Sequence, residues 1–365
     1  MKLIIIVGTR PEIIRLSSTI NLCRKLFDTI LVHTGQNYDT NLNEVFFTDL
    51  DIEKPDIILN CSKTNCCSLV GDVISETYSL FLDHKPDAVL ILGDTNSCLC
   101  AYSAKRLKIP IFHLEAGNRS FDPNVPEEIN RKIIDHLSDV NMCYMQHAKA
   151  NLLKENIHPA YCFVVGSPMR EIFNNIEHKM KNSSILEKFN IKSNDYFVWS
   201  THREDNIDNE KNFNEMINSL KQLSKTYNKK IIFGAHPRTA KKLDNNYDHN
   251  IIITQPFGII DYYKLLSNSM LVISDSGTIS EEASVLNIKA VLLRYSTEHP
   301  ETVDAGNITL GNINWENLKT SVDITMKMDK PNTDIYDYKD PNFSHKVCKI
   351  ISGYHSIVNK MLWLK

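Results

Sequence analysis

Three acidic residues sit where short apolar runs give way to small or helix-starting residues. Glu115, in His113-Leu114-Glu115-Ala116-Gly117-Asn118-Arg119, follows the run Ile111–Leu114, and the small residues after it let a backbone approach a ligand closely. Asp94, in Leu92-Gly93-Asp94-Thr95, follows Ala88–Leu92. Glu127, in Val125-Pro126-Glu127-Glu128-Ile129-Asn130-Arg131, opens a helix behind Pro126. Each has a plain structural alternative: Asp94 can cap a helix, and Glu127 with Glu128 can merely complement a helix dipole. At the top of one sheet, however, the three converge. Converging carboxylates push at least one pKa upward, as general acid–base chemistry requires. The expectation is a proton-transfer site made of Asp94, Glu115 and Glu127.

Other residues can hold an anion. Val7-Gly8-Thr9-Arg10-Pro11-Glu12 joins an apolar run to a helix. Gly8 allows a tight turn, Pro11 suits the first helical position, and the helix N-terminus beside Arg10 reads as an anion pocket that Arg15, about one turn further on, can also reach. The bland reading is an ordinary strand–helix turn with a solvated arginine. In the second half, Ser200-Thr201-His202-Arg203 follows a strand, and Arg203 is a stronger hint of anion binding than His202 alone. Gly234-Ala235-His236-Pro237 reads as structural. In Ser274-Asp275-Ser276-Gly277-Thr278-Ile279-Ser280-Glu281-Glu282, Ser276 and Gly277 offer a hydroxyl and backbone N–H groups to a diphosphate, and Glu282 can accept ribose hydroxyls. Tyr295-Ser296-Thr297-Glu298-His299-Pro300-Glu301 follows the last clear strand. No Gly-x-Gly-x-x-Gly run opens the first helix and no metal-ligand spacing stands out, so neither a dinucleotide cofactor nor a metal is expected.

The elements that position these residues are short apolar strands alternating with helical segments. Strands are expected at Lys2–Val7, Thr29–Thr34, Ala88–Leu92, Ile111–Leu114, Val140–Cys143 and Cys162–Val165, with helices at Pro11–Leu26 and Thr95–Leu107. The pattern breaks in a polar stretch between Gly166 and Asp195. It restarts with strands at Tyr196–Ser200, Lys230–Gly234, Ile251–Thr254, Leu271–Ser274 and Ala290–Leu293, and a helix at Ser344–Leu362 closes the chain. Continuous apolar strands separated by helices imply parallel sheets covered on both faces. The fold class is therefore α/β, with two Rossmann-like domains facing a cleft. The expected division is 1–168 with 344–365, and 169–343. Ligand binds at the carboxyl ends of such strands.

Composition agrees. At roughly 150 residues per domain, 365 residues suggest two domains. The net charge of −3 gives no broad attraction to nucleic acid or to an anionic membrane. Lys2–Val7 is too short for a signal-peptide core or a membrane span. The nine cysteines include no Cys-x-x-Cys pair and read as reduced cytoplasmic thiols.

Taken in order, Gly8-Thr9-Arg10-Pro11-Glu12, Gly93-Asp94-Thr95, Glu115-Ala116-Gly117, Pro126-Glu127-Glu128 with Asn130-Arg131, His202-Arg203, and Asp275-Ser276-Gly277 with Glu281-Glu282 resemble the non-hydrolysing UDP-N-acetylglucosamine 2-epimerases. The resemblance runs from residue 2 to about 305. It implies a glycosyltransferase-B-like architecture with the last helix packed on the first domain, a homodimer, a UDP-sugar substrate, and no cofactor. The implied reaction interconverts UDP-N-acetylglucosamine and UDP-N-acetylmannosamine by C2 deprotonation, UDP elimination and re-addition. Carried onto this chain, it makes Asp94, Glu115 and Glu127 the acid–base carboxylates, with His202 assisting at the departing phosphate. Arg10, Ser276 and Gly277 hold the diphosphate and Glu282 the ribose. Arg15, Arg131, Arg203, Tyr262, Thr278 and His299 complete the expected substrate-binding set.

The chain also departs from the pattern. Arg15 stands where many members have Lys, Thr278 where a second Gly is usual, and His299 where Arg is usual. Gln36-Asn37-Tyr38 replaces a Gln-His-Arg run tied to allosteric substrate binding, which argues against allosteric activation. His33-Thr34-Gly35-Gln36-Asn37-Tyr38-Asp39, Glu115-Ala116-Gly117-Asn118-Arg119 and Asp275-Ser276-Gly277-Thr278 look more like a sub-branch acting on UDP-2-acetamido-2,6-dideoxy-L-hexoses. That substrate, a glycosyltransferase of the same architecture, and a non-catalytic UDP-sugar-binding protein are the alternatives.

Overall fold

A strand covered on both faces must be apolar at every position, and the runs Leu3–Val7, Ala88–Leu92 and Leu271–Ile273 are buried along their whole length. The computed structural model describes residues 1–36, 47–62, 64–243, 247–329 and 335–365; the expected motif residues Asn37, Tyr38 and Asp39 lie outside these. The chain forms two compact units, Met1–Asn175 with Tyr336–Lys365, and Ile176–Ile335.

The first unit carries a parallel sheet of strands β1 (Lys2–Val7), β2 (Asp28–His33), β3 (Ile57–Ile58), β4 (Ala88–Leu92), β5 (Ile111–Leu114), β6 (Val140–Cys143) and β7 (Cys162–Val164). Their order is β3-β2-β1-β4-β5-β6-β7. The second unit repeats the plan with β8 (Tyr196–Ser200), β9 (Lys230–Gly234), β10 (Ile251–Thr254), β11 (Leu271–Ser274), β12 (Ala290–Leu292) and β13 (Thr309–Leu310), ordered β10-β9-β8-β11-β12-β13. These are two Rossmann-like α/β domains of the glycosyltransferase-B-like class. Strand order reverses between β1 and β4 in one unit and between β8 and β11 in the other, the places where open α/β sheets bind ligands.

The last helix, Phe343–Met361, lies on the first, Arg10–Leu26. The Thr19 and Ser344 hydroxyls are 3.0 Å apart, and the Cys23 and Cys348 sulfurs 3.6 Å. The two edge strands β3 and β13 were not expected, because two residues are too few to show a period. The segment after Thr95 begins as a 3₁₀ turn, Asn96–Cys100, before the α-helix Ala101–Arg106. The polar stretch after Pro168 is also largely helical. Met169–Asn182 buries Met169, Ile172, Phe173, Ile176 and Met180, a helical stripe dispersed among Asn and Lys. Among the described residues no helix is long and apolar enough to cross a membrane.

Candidate active site

In the first unit, Glu12 organises the turn after β1. Thr9 and Glu12 form a reciprocal capping box, and the Glu12 carboxylate accepts from the Gly8 and Thr9 amides at 2.8 and 2.7 Å and from Thr95 Oγ1 at 2.8 Å. Burial pushes the Glu12 pKa up, although hydrogen bonds from Gly8, Thr95 and Thr9 oppose it. The expected anion pocket at this helix N-terminus is thus already occupied at two amides by the chain's own carboxylate. Gly8 is required for space: a Cβ there would lie 1.8 Å from Ser97 Oγ. Arg10, the first residue of the helix, is half-buried.

Asp94 and Glu115 extend from neighbouring strands. β4 and β5 pair with Leu92 opposite Leu114, and the Gly93 amide donates to the Leu114 carbonyl at 3.0 Å. Paired strands lie about 4.8 Å apart, so Asp94 and Glu115 follow the ends of two adjacent strands. Asp94 does not cap the following turn; it accepts from Arg131 Nε at 2.7 Å. Glu115 is ion-paired with the buried Arg15, whose guanidinium lies 5.7 Å from the Tyr144 ring centre. Both carboxylates therefore face a cation.

Glu115 is held at φ +63°, in the left-handed region, an outlier of the kind that concentrates at functional sites. Glu127 begins the helix Glu127–Leu137 and is exposed. Its neighbour Glu128 is the buried acid. It accepts from the Ser120 amide and hydroxyl and from Arg131 Nη1 at 2.8 Å. Burial would raise the Glu128 pKa, but the Ser120 amide and Arg131 outweigh it and hold it low. Arg131 therefore spans Asp94 and Glu128.

In the second unit the organiser is Asp275, fully buried at the end of β11. It accepts from the His202 amide at 3.0 Å, the Arg203 amide at 3.1 Å and Asn206 Nδ2 at 3.0 Å. This sets the turn after β8 and leaves the His202 ring about half exposed, its Nδ1 3.6 Å from Asp275. Arg203 is half-buried. Ser276, Gly277 and Thr278 form a half-buried turn before the helix Ile279–Leu286, with the Ser276 and Thr278 hydroxyls 3.0 Å apart.

Gly277 lies against the buried pair Arg294–Glu298, bidentate at 2.7 Å; a Cβ would stand 3.4 Å from Arg294 Nη1. Glu282 is buried, with the Tyr263 hydroxyl donating to it at 3.4 Å. Burial, Glu282 and Asp275 push the Tyr262 hydroxyl well up. His299 is buried too, with Nδ1 3.1 Å from Glu301 and Nε2 3.8 Å from Glu281.

Sequence reasoning did not single out Glu12, Glu128, Asp275 or Arg294. The Thr-x-x-Glu spacing of Thr9 and Glu12 was a usable signal for a capping box. The others have none, since their partners are brought in by the fold.

A family model described as UDP-N-acetylglucosamine 2-epimerase matches residues 22–352. The UDP-N-acetylglucosamine 2-epimerase of Methanocaldococcus jannaschii is 39% identical over 89% of this chain and 92% of its own. Among solved structures, a UDP-N-acetylglucosamine 2-epimerase from Rickettsia bellii superposes with a TM-score of 0.93 at 41% identity, covering 100% of both chains. A M. jannaschii UDP-GlcNAc 2-epimerase in complex with UDP-GlcNAc and UDP superposes with a TM-score of 0.90 at 34% identity, covering 97% of this chain and 100% of that one. These relatives favour neither a glycosyltransferase, nor a non-catalytic binder, nor a dideoxy-L-hexose substrate.

Proposed function

The chain belongs to the UDP-N-acetylglucosamine 2-epimerase family, and from that premise we propose that it interconverts UDP-N-acetylglucosamine and UDP-N-acetylmannosamine through proton transfer at C2. It is an isomerase. The observation that carries the reading is the placement of Asp94 and Glu115 at the ends of adjacent strands, each against its own guanidinium.

In the proposed reaction one carboxylate accepts the C2 proton. The C2–H electron pair becomes the C1–C2 double bond, and the C1–O pair leaves with UDP. A proton returned to the opposite face of C2, with UDP re-adding at C1, gives the epimer. Glu127 completes the acid–base set. Charge builds on the departing UDP, so hydrogen-bond donors aimed at the diphosphate stabilise the transition state. Ser276, Gly277, Thr278 and Arg203 are suited to that task, with His202 assisting and Arg10 adding a cation. Tyr262 and Glu282 are assigned to the nucleoside and Arg15, Arg131 and His299 to the surrounding binding set.

The test is incubation with UDP-N-acetylglucosamine alone in heavy water, followed by NMR. Deuterium at C2 and appearance of the manno epimer are expected. Asp94→Asn and Glu115→Gln should abolish both while retaining UDP binding. Near-normal turnover in either variant would sink the carboxylate assignment.

A cytoplasmic location suits nine cysteines that are all free thiols. A homodimer suits the exposed Tyr78 and Leu82 on one helix face, with Ile129 and Ile133 on another. Sedimentation of wild type against Ile133→Asp tests that assembly, which a monomeric wild type would exclude.

A further inference from the structure

The helix Glu127–Leu137 does more than carry Glu127. Near its far end lies Asp135, a fully buried carboxylate that touches no position expected to meet substrate. Both Asp135 oxygens accept from the Gly117 amide at 3.2 Å, and Arg119 Nη1 donates to Oδ2 at 2.7 Å. On its other side, His113 Nδ1 stands 3.0 Å from Oδ1. His113 in turn donates through Nε2 to the Gly93 carbonyl at 2.9 Å. Burial alone would raise the Asp135 pKa, but His113 and Arg119 overcome it and hold the group below the usual carboxylate range.

The two ends of this chain of contacts are informative. Gly93 directly precedes Asp94, and Gly117 follows Glu115 by two residues. Both glycines have positive φ, +78° and +83°, and Glu115 itself is at +63°. Glycine takes a positive φ freely, but Glu115 does not, so the Glu115 turn persists only where surrounding groups over-determine it. A buried ionic pair is also weak evidence for stability, since apolar packing of the same volume often serves as well or better. Holding two turns, one of them strained at Glu115, in fixed relation calls for directional hydrogen bonds, which apolar packing lacks.

We propose that Asp135 is a positioning residue of the epimerase reaction, joining the Asp94 turn through His113 to the Glu115 turn through the Gly117 amide, so that both carboxylates keep the separation C2 proton transfer needs. The inference rests on the proton-transfer reading of Asp94 and Glu115 given above.

The experiment compares wild type, Asp135→Asn and His113→Gln. It measures C2 deuterium exchange and epimerisation with UDP-N-acetylglucosamine, UDP affinity by calorimetry, and folded fraction by circular dichroism. His113→Gln removes the ring between Asp135 and Gly93 and leaves the Gly117 and Arg119 contacts to Asp135 in place, which keeps the test meaningful where Asp135→Asn folds poorly. Misplacement of catalytic groups by about an ångström lowers rate about 100-fold, so both variants should lose that much in kcat and exchange, with KM and UDP affinity within about threefold of wild type. Exchange near the wild-type rate in either folded variant overturns the proposal. So does a loss of rate that merely tracks the folded fraction, which marks a structural role. A wild type that exchanges no deuterium removes the proton-transfer reading itself, and the positioning role with it.

Discussion

Arg131 donates to Asp94 at 2.7 Å through Nε while Nη1 of the same guanidinium donates to Glu128 at 2.8 Å. A planar fork can serve two carboxylates at once; an ammonium offers a single point charge. Arg131→Lys should therefore keep the local charge and still release Asp94. The expected result is a kcat reduced about 10- to 100-fold with UDP affinity little changed, read by progress curves and calorimetry. A variant that instead loses UDP affinity and keeps kcat would show that Arg131 serves the nucleotide rather than Asp94.

Asp275 predicts the opposite split. It accepts from the amides of His202 and Arg203 and from Asn206, all in one turn, with no exposure of its own. Asp275→Ala leaves buried N–H groups without an acceptor, each a loss of about 1–3 kcal/mol. The melting temperature should fall, and UDP affinity should weaken about tenfold or more as the turn loosens. Asp275→Asn keeps an acceptor oxygen and should fall between. Calorimetric titration with UDP of the folded variants decides it: unchanged affinity in Asp275→Ala would detach this turn from nucleotide binding.

What was legible in the sequence follows from how each feature is encoded. β1, β4 and β5 declare themselves because strands buried on both faces are apolar throughout, and Asp94 and Glu115 are conspicuous because each ends such a run. Asp135 lies near a helix end among Lys, Ile and His, and its partners Gly117, Arg119 and His113 lie 16 to 22 positions away in sequence. Nothing local reports that meeting. The same holds for Glu128: the sequence reading singles out the adjacent Glu127, and the fold buries Glu128 and exposes Glu127. The expectation that three carboxylates would press on one another missed the cations, since Arg15 and Arg131 reach their partners only once the sheet is formed.

The two turn glycines should respond differently to alanine. At Gly93 a Cβ would meet nothing within 4 Å, so only the positive φ is penalised, about 1–2 kcal/mol. At Gly117 the same φ is joined by a Cβ 2.3 Å from the Ala148 carbonyl oxygen, so backbone must move. Thermal unfolding should therefore rank Gly117→Ala well below Gly93→Ala. Equal melting temperatures would mean that the Glu115 turn yields more readily than its packing implies.

His299 ties stability to pH. Burial alone would lower its pKa, but Glu301, Glu281 and Glu298 outweigh that and raise it above the ordinary 6.5. A raised folded pKa means that the folded chain holds the proton more tightly than the unfolded chain does. The resulting stabilisation is fully present below about pH 6.5 and is lost as pH rises through the higher folded value. Arg294, a nearby cation, is taken by Glu298 in a bidentate pair, and deprotonation of His299 removes a positive charge from beside Glu281 and Glu301. Urea unfolding at a series of pH values should show wild type losing stability on the alkaline side of pH 6.5, with His299→Gln flatter over that interval. If the substituted protein declines as steeply as wild type, the pH dependence belongs to another group and the His299 cluster does not titrate as its geometry requires.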